Sequence, residues 1–266
     1  SVQNKNALQT GEAWRQIISS QYGALLLSAT FFRTRFDKLF YMLKMLRTGL
    51  PETKEYLDAI LAESIVSYIP KRGTVWHTNI NRFSLSKKNM KEYDLIAEED
   101  IGSEKLFAKL LSFLNNNFDY IEAYRKVISN NEKSNRRCLI YGRSKREADL
   151  IGNEIKGVSR FPDISGKHVV ISYTEGTYGL NNLVFLNTIV TNIPPPDKLP
   201  QMRGRLDRPG QTSKELYIEY LLIEKTIDEA NLFRLELSNN FYNNYILPIA
   251  DYYDLAVGRK KKEVIE

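Results

Sequence analysis

Segments typical of strands and of helices alternate through the second half of the chain, and this alternation limits the fold more than any other feature. Four apolar runs have the length and composition of buried strands: residues 137–142, 168–173, 183–191 and 215–223. Ser144 and Thr226 each begin a Ser/Thr-x-x-Glu box, which predicts helices that end near residues 155 and 238. Strands that alternate with helices form parallel sheets covered by helices. The sequence therefore predicts an α/β fold with a parallel sheet flanked by helices.

The first half of the chain is predicted to be mainly helical. Apolar residues at helical spacing indicate helices over residues 4–20, 33–47, 51–65, 103–114 and 118–128. Residues rich in β-formers predict strands over 22–30 and 74–86. Ser103 is expected to cap its helix, and the polar residues 129–135 are expected to form a surface linker. The helix breakers Pro70 to Gly73 mark a domain boundary.

Composition excludes several classes of protein. No run approaches the ~18 apolar residues of a membrane span, and no secretion signal is visible, so we expect a soluble intracellular chain, in nucleus or cytoplasm, with a viral origin left open. One cysteine, Cys138, and two histidines exclude an internal disulfide and a Cys/His zinc site. We therefore predict no metal ligands. The net charge of +6 suits a polyanionic partner, as it does many ordinary basic domains.

The segment Gln201-Met-Arg-Gly-Arg-Leu-Asp-Arg-Pro-Gly-Gln211 holds the strongest candidate site. Arginine is permanently charged and donates a planar fork of N–H bonds that fits phosphate oxygens. Arg203, Arg205 and Arg208 therefore form a candidate phosphate-facing cluster. The alternative is a solvated basic turn, because charged side chains usually lie on surfaces.

Polar residues that follow predicted strands are further candidate contacts. Ser144, Lys145 and Arg146 begin a helix whose free N–H groups can hold a phosphate, and a simple capped surface helix is equally consistent. The loop after residue 173 contains glycines that permit close backbone approach to a ligand, or merely tight turns. Its candidate residues are Thr174, Gly176 and Asn181. Ser28 and Thr30 end the predicted strand 22–30, where ligand contacts or an ordinary turn are expected.

In order, these segments resemble the motor core of superfamily-two helicases, and within it the Swi/Snf-type DNA translocases. Leu27-Ser-Ala-Thr30 looks like helicase motif three, and Cys138-Leu-Ile-Tyr141 with Ser144 resembles motif four. Glu175-Gly-Thr-Tyr-Gly-Leu-Asn181 resembles motif five, and Gln201 to Gln211 is similar to motif six with its Swi/Snf-like Arg-x-Gly-Gln ending. Thr226-Ile-Asp-Glu229 resembles a box that commonly follows. The resemblance covers about residues 24–240.

The resemblance implies a role for each candidate residue. Two RecA-like lobes clamp ATP in such motors, and the second reaches across with arginines, so Arg205 and Arg208 are candidate arginine fingers. Gln201 and Gly204 would lie beside them at the nucleotide. Ser28 and Thr30 would couple nucleotide state to lobe movement. The nucleic-acid backbone would be contacted by the residues after the strands: Ser144, Lys145, Arg146, Thr174, Gly176 and Asn181.

Two departures from the family pattern limit what the chain can do alone. It has no phosphate-binding loop and no Asp-Glu pair before Ser28, so ATP and Mg²⁺ would be bound mainly by a first lobe that is missing here. Residues 151–168 leave no room for the usual extra strand and helix, which predicts a trimmed second lobe. We thus expect residues 1–72 to end a first RecA-like lobe with a helical extension, and residues 73–266 to form the carboxy-terminal lobe.

The predicted function is part of an ATP-dependent helicase or double-stranded-DNA translocase, inactive in ATP hydrolysis as an isolated segment. The expected partners are nucleic acid, the amino-terminal motor lobe and a larger replication or transcription assembly, with no membrane. The alternatives are a catalytically inactive helicase-like scaffold or nucleic-acid-binding module, and an unrelated basic α/β domain.

Overall fold

The computed structural model describes residues 8–21, 73–117, 121–177, 182–196 and 198–241. The chain divides into two compact units, residues 72–235 and the remaining residues, and each is considered by itself. In the second of these units, helix α1 (Leu8–Ile18) confirms the helix predicted near the start. The strand predicted over 22–30, with Ser28 and Thr30, and the helices predicted over 33–47 and 51–65 lie outside the described residues. The lobe assignment 1–72 and 73–266 stays a prediction.

The larger unit is built on a six-stranded sheet in which every pairing is parallel. Its strands are β1 (Val75–Phe83), β2 (Cys138–Gly142), β3 (Val158–Arg160), β4 (His168–Ser172), β5 (Thr188–Asn192) and β6 (Glu215–Ile223). They lie in the order β1-β6-β5-β2-β4-β3. The strands β2, β4 and β5 are buried along their whole length, as expected of parallel strands covered on both faces. The predicted α/β fold with a helix-flanked parallel sheet is confirmed.

Helices cover both faces of this sheet. They are α2 (Lys87–Ala97), α3 (Ser103–Asn116), α4 (Ile121–Lys133), α5 (Lys145–Glu154), α6 (Leu199–Leu206) and α7 (Ile227–Phe241). Alternate residues of β2 separate two cores: Ile140 packs with residues of α2 to α5, whereas Leu139 and Tyr141 pack with residues of α6 and α7. None of the helices in the described ranges is long and apolar enough to cross a membrane.

The helical layer before β2 corrects three predictions. Helix α2 was not predicted, although Ser86 caps it by accepting a hydrogen bond from the Asn89 N–H. Ser103 lies inside α3, because Gly102 holds the cap position with a positive φ of 78°. The predicted linker 129–135 is largely helical, since α4 continues to Lys133. Its polar composition concealed a helix that buries Ile128 and Asn131 against the sheet.

Two strand predictions also change. The segment predicted to lack an extra strand between α5 and β4 contains β3, a strand of 3 residues that pairs with β4. Strand β5 begins at Thr188, so residues 183–187 are not a strand. Leu183 and Leu186 are nevertheless fully buried in the core beneath α6. Their apolar character reflects burial of a turn, which hydrophobic patterning does not distinguish from a strand.

The two predicted Ser/Thr-x-x-Glu boxes do begin helices. In the standard box the glutamate accepts a hydrogen bond from the N–H of the capping Ser or Thr, whereas here each glutamate accepts from the N–H of the residue before that Ser or Thr. The Ser144 hydroxyl accepts from the Glu147 N–H, while the Glu147 carboxylate accepts from the Arg143 N–H at 2.6 Å. Glu229 likewise accepts from the Lys225 N–H. At α7 the N–H groups of Ile227 and Asp228 donate to the hydroxyls of Tyr93 and Thr226, so the start of that helix is used within the fold.

His168 ties the amino-terminal end of β4 to its neighbours. The ring is fully buried; Nδ1 accepts a hydrogen bond from the Cys138 N–H, so the proton lies on Nε2, 3.1 Å from a Glu132 carboxylate oxygen. Burial lowers the pKa of His168, because it penalises the imidazolium, although Glu132 opposes this effect. Lys167 also faces Glu132, at 3.3 Å. The fold therefore favours the neutral ring.

We predict that the free energy of unfolding decreases as the pH falls below about 6.5, the ordinary pKa of histidine. Below that pH the unfolded chain binds a proton that the folded ring resists, until the pH reaches the lowered pKa of the folded state. One group contributes a slope of at most about 1.4 kcal/mol per pH unit. His168→Asn keeps an acceptor for the Cys138 N–H without titrating. Urea unfolding from pH 7.5 to 5 should give a flatter curve for the variant, and equal slopes contradict the assignment.

Candidate functional site

The arginine cluster lies on helix α6 and the turn that follows it. Leu199, Met202 and Leu206 are buried against the sheet, and this apolar stripe fixes which face of the helix the other side chains occupy. Pro200 lies in the first turn, where its missing N–H costs nothing. The basic-turn alternative therefore applies only to the residues after Leu206.

Arg205 is the buried member of the cluster, with 6% of its surface exposed. Its Nε and Nη2 atoms donate to the backbone carbonyl of Gly176 at 3.2 and 3.0 Å. Burial lowers the pKa of the Arg205 guanidinium, and the charge of Arg208 also acts in that direction. Arginine nevertheless stays protonated in proteins. Arg205 thus links α6 to the loop after β4 and carries a poorly solvated positive charge.

Arg208 and Arg203 have different surroundings. Arg208 is half-buried, and its Nε donates to the carbonyl of Gly204. A methyl group added at Gly204 would meet no atom within 4 Å, so the helix is open on that side. Arg203 lies 5.4 Å from the centre of the Trp76 ring, and its buried Nε has no hydrogen-bond partner in the part of the chain that the structure describes. Trp76 in turn donates to Asp207.

Tyr141 is a residue of this site that sequence reasoning missed. Its side chain is 1% exposed, and within the described part of the chain its hydroxyl has no hydrogen-bond partner. Burial raises the pKa of Tyr141, an effect that the charges of Arg205 and Arg208 oppose. Because Tyr141 belongs to an apolar strand, its sequence carried no signal of a polar role. The ring also explains Gly176, since a Cβ there would lie 2.5 Å from Tyr141 Cε1.

A small cavity of about 10 Å³, the size of one water molecule, joins the cluster to the loop after β4. It is lined by Tyr141, Tyr173, Gly176, Lys198, Gln201 and Met202. The structure thus brings Gln201 and Gly176 together, and it adds Lys198 to the residues predicted from sequence. Gln201 is half-buried.

The candidate phosphate contacts lie at the carboxyl edge of the sheet. Gly142 of β2 pairs with Ser172 of β4, so Ser144 and Thr174 each stand two residues beyond that pair on adjacent strands. Lys145, Arg146 and Thr174 are exposed, whereas the Ser144 hydroxyl caps α5. Asn181 lies outside the described residues.

Glu175 fixes the start of the loop after β4. Its carboxylate accepts hydrogen bonds from the N–H and hydroxyl of Ser172 and from Arg160 Nη2 at 2.8 Å. Burial favours the neutral acid, but the hydrogen bonds from Arg160 and Ser172 outweigh it and lower the pKa of Glu175 to about 2. Arg160 also binds Asp149 of α5 at 2.7 Å. The loop that receives Arg205 is therefore anchored to β3 and α5.

Buried polar contacts that the sequence did not predict hold the same edge. Arg143 forms an ion pair with Asp228 at 2.6 Å, with side chains 5% and 1% exposed. Glu147 accepts from the Tyr124 hydroxyl at 3.0 Å and from Asn192 Nδ2 at 3.2 Å. These residues come from four separate segments, so only the tertiary structure reveals them. No group of His, Cys, Asp and Glu side chains in the described ranges could hold a metal ion.

Comparison with known proteins gives one close relative by sequence. No protein-family model matches the chain. It is 48% identical over 265 residues to a protein of Acanthamoeba polyphaga mimivirus named "Putative helicase L115". That alignment covers 98% of this chain and 21% of the relative, so the chain spans about a fifth of the relative's length. The solved carboxy-terminal part of the Fun30 ATPase domain matches with a TM-score of 0.38 at 16% identity, over 82% of this chain and 92% of that one.

The two tyrosines at this site give a matched stability test. Tyr141→Phe removes a buried hydroxyl that bonds none of the described residues, so we expect the free energy of unfolding to stay unchanged or to rise. Tyr173→Phe removes a hydroxyl that bonds Thr191 Oγ1 at 3.0 Å and the Asn192 carbonyl at 3.1 Å, and should cost about 1–2 kcal/mol. Urea unfolding measures both. An equal loss in the two variants would show that Tyr141 has a structural partner.

Proposed function

We propose that this chain is part of an ATP-dependent nucleic-acid motor, a helicase or double-stranded-DNA translocase, to which it contributes the arginines that act on the nucleotide. One observation carries the proposal: Arg205 joins α6, the arginine helix, directly to the Gly176 carbonyl in the loop after β4. A motor requires such a connection, because nucleotide state must be transmitted to the nucleic-acid contacts. The helicase name of the mimivirus relative supports the same class of protein.

Arg208 is the proposed arginine finger that contacts the γ-phosphate directly. It is more exposed than Arg205, and the open space beside Gly204 leaves room for a phosphate or the opposing lobe. A planar guanidinium that meets charge developing on the phosphate oxygens lowers the barrier to hydrolysis. Arg205 would act beside it while its present hydrogen bonds orient the loop. Gln201 would orient the attacking water or contact the nucleotide.

The carboxyl edge is the proposed seat of the nucleic-acid backbone. Lys145 and Arg146 supply exposed positive charge, and Thr174 supplies a hydroxyl on the adjacent strand's loop. Phosphate contacts of this kind position a strand without reading its sequence, as a motor that moves along nucleic acid requires. Ser144, Gly176 and Asn181 complete the proposed surface, with Gly176 acting through its backbone.

The remaining parts of the motor are proposed to come from elsewhere in the protein. An amino-terminal lobe would supply the phosphate loop and the Mg²⁺ ligands, and Ser28 and Thr30 would couple nucleotide state to lobe movement. Residues 1–72 and 73–266 keep their proposed assignment to the first and second lobes. The proposed setting is an intracellular replication or transcription assembly.

The first test removes each proposed arginine finger from the full-length protein. Arg208→Ala should lower nucleic-acid-stimulated ATP turnover by about 10³-fold, because the guanidinium stabilises charge in the transition state. ATP binding should largely survive, because ground-state ATP is held mainly by the other lobe. Arg205→Ala should lower turnover similarly and also reduce thermal stability, since the Gly176 carbonyl loses its donors. Turnover and equilibrium ATP binding are measured in parallel.

Arg125→Ala is the matched control, because Arg125 lies on the surface of α4 and its ion pairs within the described residues are with Glu122 and Glu154. It should leave turnover unchanged. Undiminished turnover in both finger variants would exclude the proposed roles. A wild-type protein that binds nucleic acid without stimulated turnover would instead support the inactive scaffold.

A second test uses Gly204, which no packing contact requires. Alanine in a helix is about 0.5–1 kcal/mol more favourable than glycine, so Gly204→Ala should stabilise the fold. If a phosphate or the opposing lobe approaches this position, the same variant lowers ATP turnover. Gly11→Ala in α1 is the control: its surroundings are equally open, and it should stabilise without affecting turnover. Unchanged turnover in Gly204→Ala contradicts a close approach.

A further inference from the structure

A cavity of about 290 Å³ opens at the carboxyl edge of the sheet, apart from the arginine cluster. It is lined by residues of α3 and α7 and by the segments that follow strands β2, β4 and β5. All belong to the larger unit, so the cavity lies within one compact body. Its volume is near the lower limit for small-molecule sites, which suits one planar ring system.

The topology places this cavity where α/β proteins bind ligands. β2 and β5 are neighbours, but the connection from β2 leads through α5 to β3, and that from β5 leads through α6 to β6 on the opposite side. Such a change of direction opens a crevice outside the carboxyl ends of the two strands. Arg143 directly follows β2, Ile193 directly follows β5, and both line the cavity.

The interior of the cavity suits a flat, partly apolar group with a hydrogen-bonding edge. Phe107, Leu111 and Ile193 supply apolar surface. Arg143 and Asp228 form an ion pair in the wall, and this pair offers no net charge. Asn115 adds an amide whose Oδ1 is buried and has no hydrogen-bond partner among the described residues, so it can accept from an N–H donor. Amino groups of nucleobases are donors of that kind.

The mouth of the cavity suits an anion. Arg234 is exposed, lies 5.8 Å from the centre of the Phe107 ring, and forms no ion pair with any described residue. A base held between apolar walls, with a phosphate on this arginine, would use both features. Arginine and aromatic side chains together are the usual means of binding unstacked bases.

We propose that this cavity receives an unstacked nucleobase of a bound single strand. The cavity adjoins the proposed backbone seat, because Arg143 precedes Ser144 and Tyr173 precedes Thr174. The inference rests on the proposed function and deepens it: a protein that holds one base out of the stack acts on a separated strand. A motor that only moves along intact duplex has no base to place there.

The test fills the cavity in the full-length protein. Leu111→Trp should weaken binding of a fluorescent cytosine-containing single strand about 5- to 150-fold, the range for loss of one stacked base. An abasic residue placed at successive positions of that strand should cause a similar loss at one position, and Leu111→Trp should cause no further loss there. Duplex affinity should not change. Fluorescence anisotropy measures the affinities of the wild type and of Leu111→Trp for the intact strand, the abasic strands and the duplex.

Leu95→Trp is the matched control, since Leu95 is 67% exposed on α2. It should bind every probe as the wild type does. Arg234→Gln covers the case in which Leu111→Trp does not fold, because Arg234 is on the surface. It should reduce the slope of log affinity against log salt by about 0.7, as expected for one phosphate contact on a single strand.

The outcomes separate this inference from the proposed function. The base site is overturned if strand binding is unchanged by Leu111→Trp, by Arg234→Gln and by every abasic position. That result leaves the motor proposal intact. Failure of the wild type to bind any nucleic acid overturns both. If cytidine monophosphate binds as tightly as the strand and is equally weakened by Leu111→Trp, the cavity binds a free nucleotide. The proposal that a bound strand supplies the base is then overturned.

Discussion

The parallel pairing of β2 with both β4 and β5 is the constraint on which the rest of the structure depends. Parallel neighbours require crossover connections, so every strand of this sheet ends at the same edge. The loops that carry Arg143, Ser144, Thr174 and Ile193 therefore meet there, although the sequence separates them by up to 50 residues. After β2 and after β5 the chain continues toward opposite sides of the sheet, and this opens the crevice that those loops line.

Burial of polar groups determines how rigid this edge is. A buried charge is tolerated only when paired, and a buried hydroxyl or amide costs free energy unless it is hydrogen-bonded. Arg143 with Asp228, and Glu147 with Tyr124, meet this requirement and tie the strand ends to α4 and α7. Tyr141 and Asn115, at the two candidate sites, are among the side chains that keep a buried atom without a partner within the described residues. Unmet hydrogen-bonding capacity at such positions is consistent with ligand contacts.

The three arginines of the cluster have different surroundings although they lie in one short segment. Arg205 donates to a backbone carbonyl, Arg203 lies over an aromatic ring, and Arg208 is half-buried in the turn after the helix. Sequence treats the three as equivalent cations. The helix turns Arg203 and Arg205 to different neighbours, and Arg208 lies in the turn that follows the helix. The proposed catalytic and coupling roles follow from that division.

The sequence by itself determined the α/β class, most strand positions and both capped helix starts, because hydrophobic period and capping chemistry act over a few residues. It missed α2, β3 and the end of α4, where polar or short segments owe their structure to the neighbours they pack against. It also left open which arginine is buried, that Tyr141 joins the site, and that a cavity separates α3 from α7. Only the tertiary structure decided these points, since each depends on contacts between residues distant in the chain.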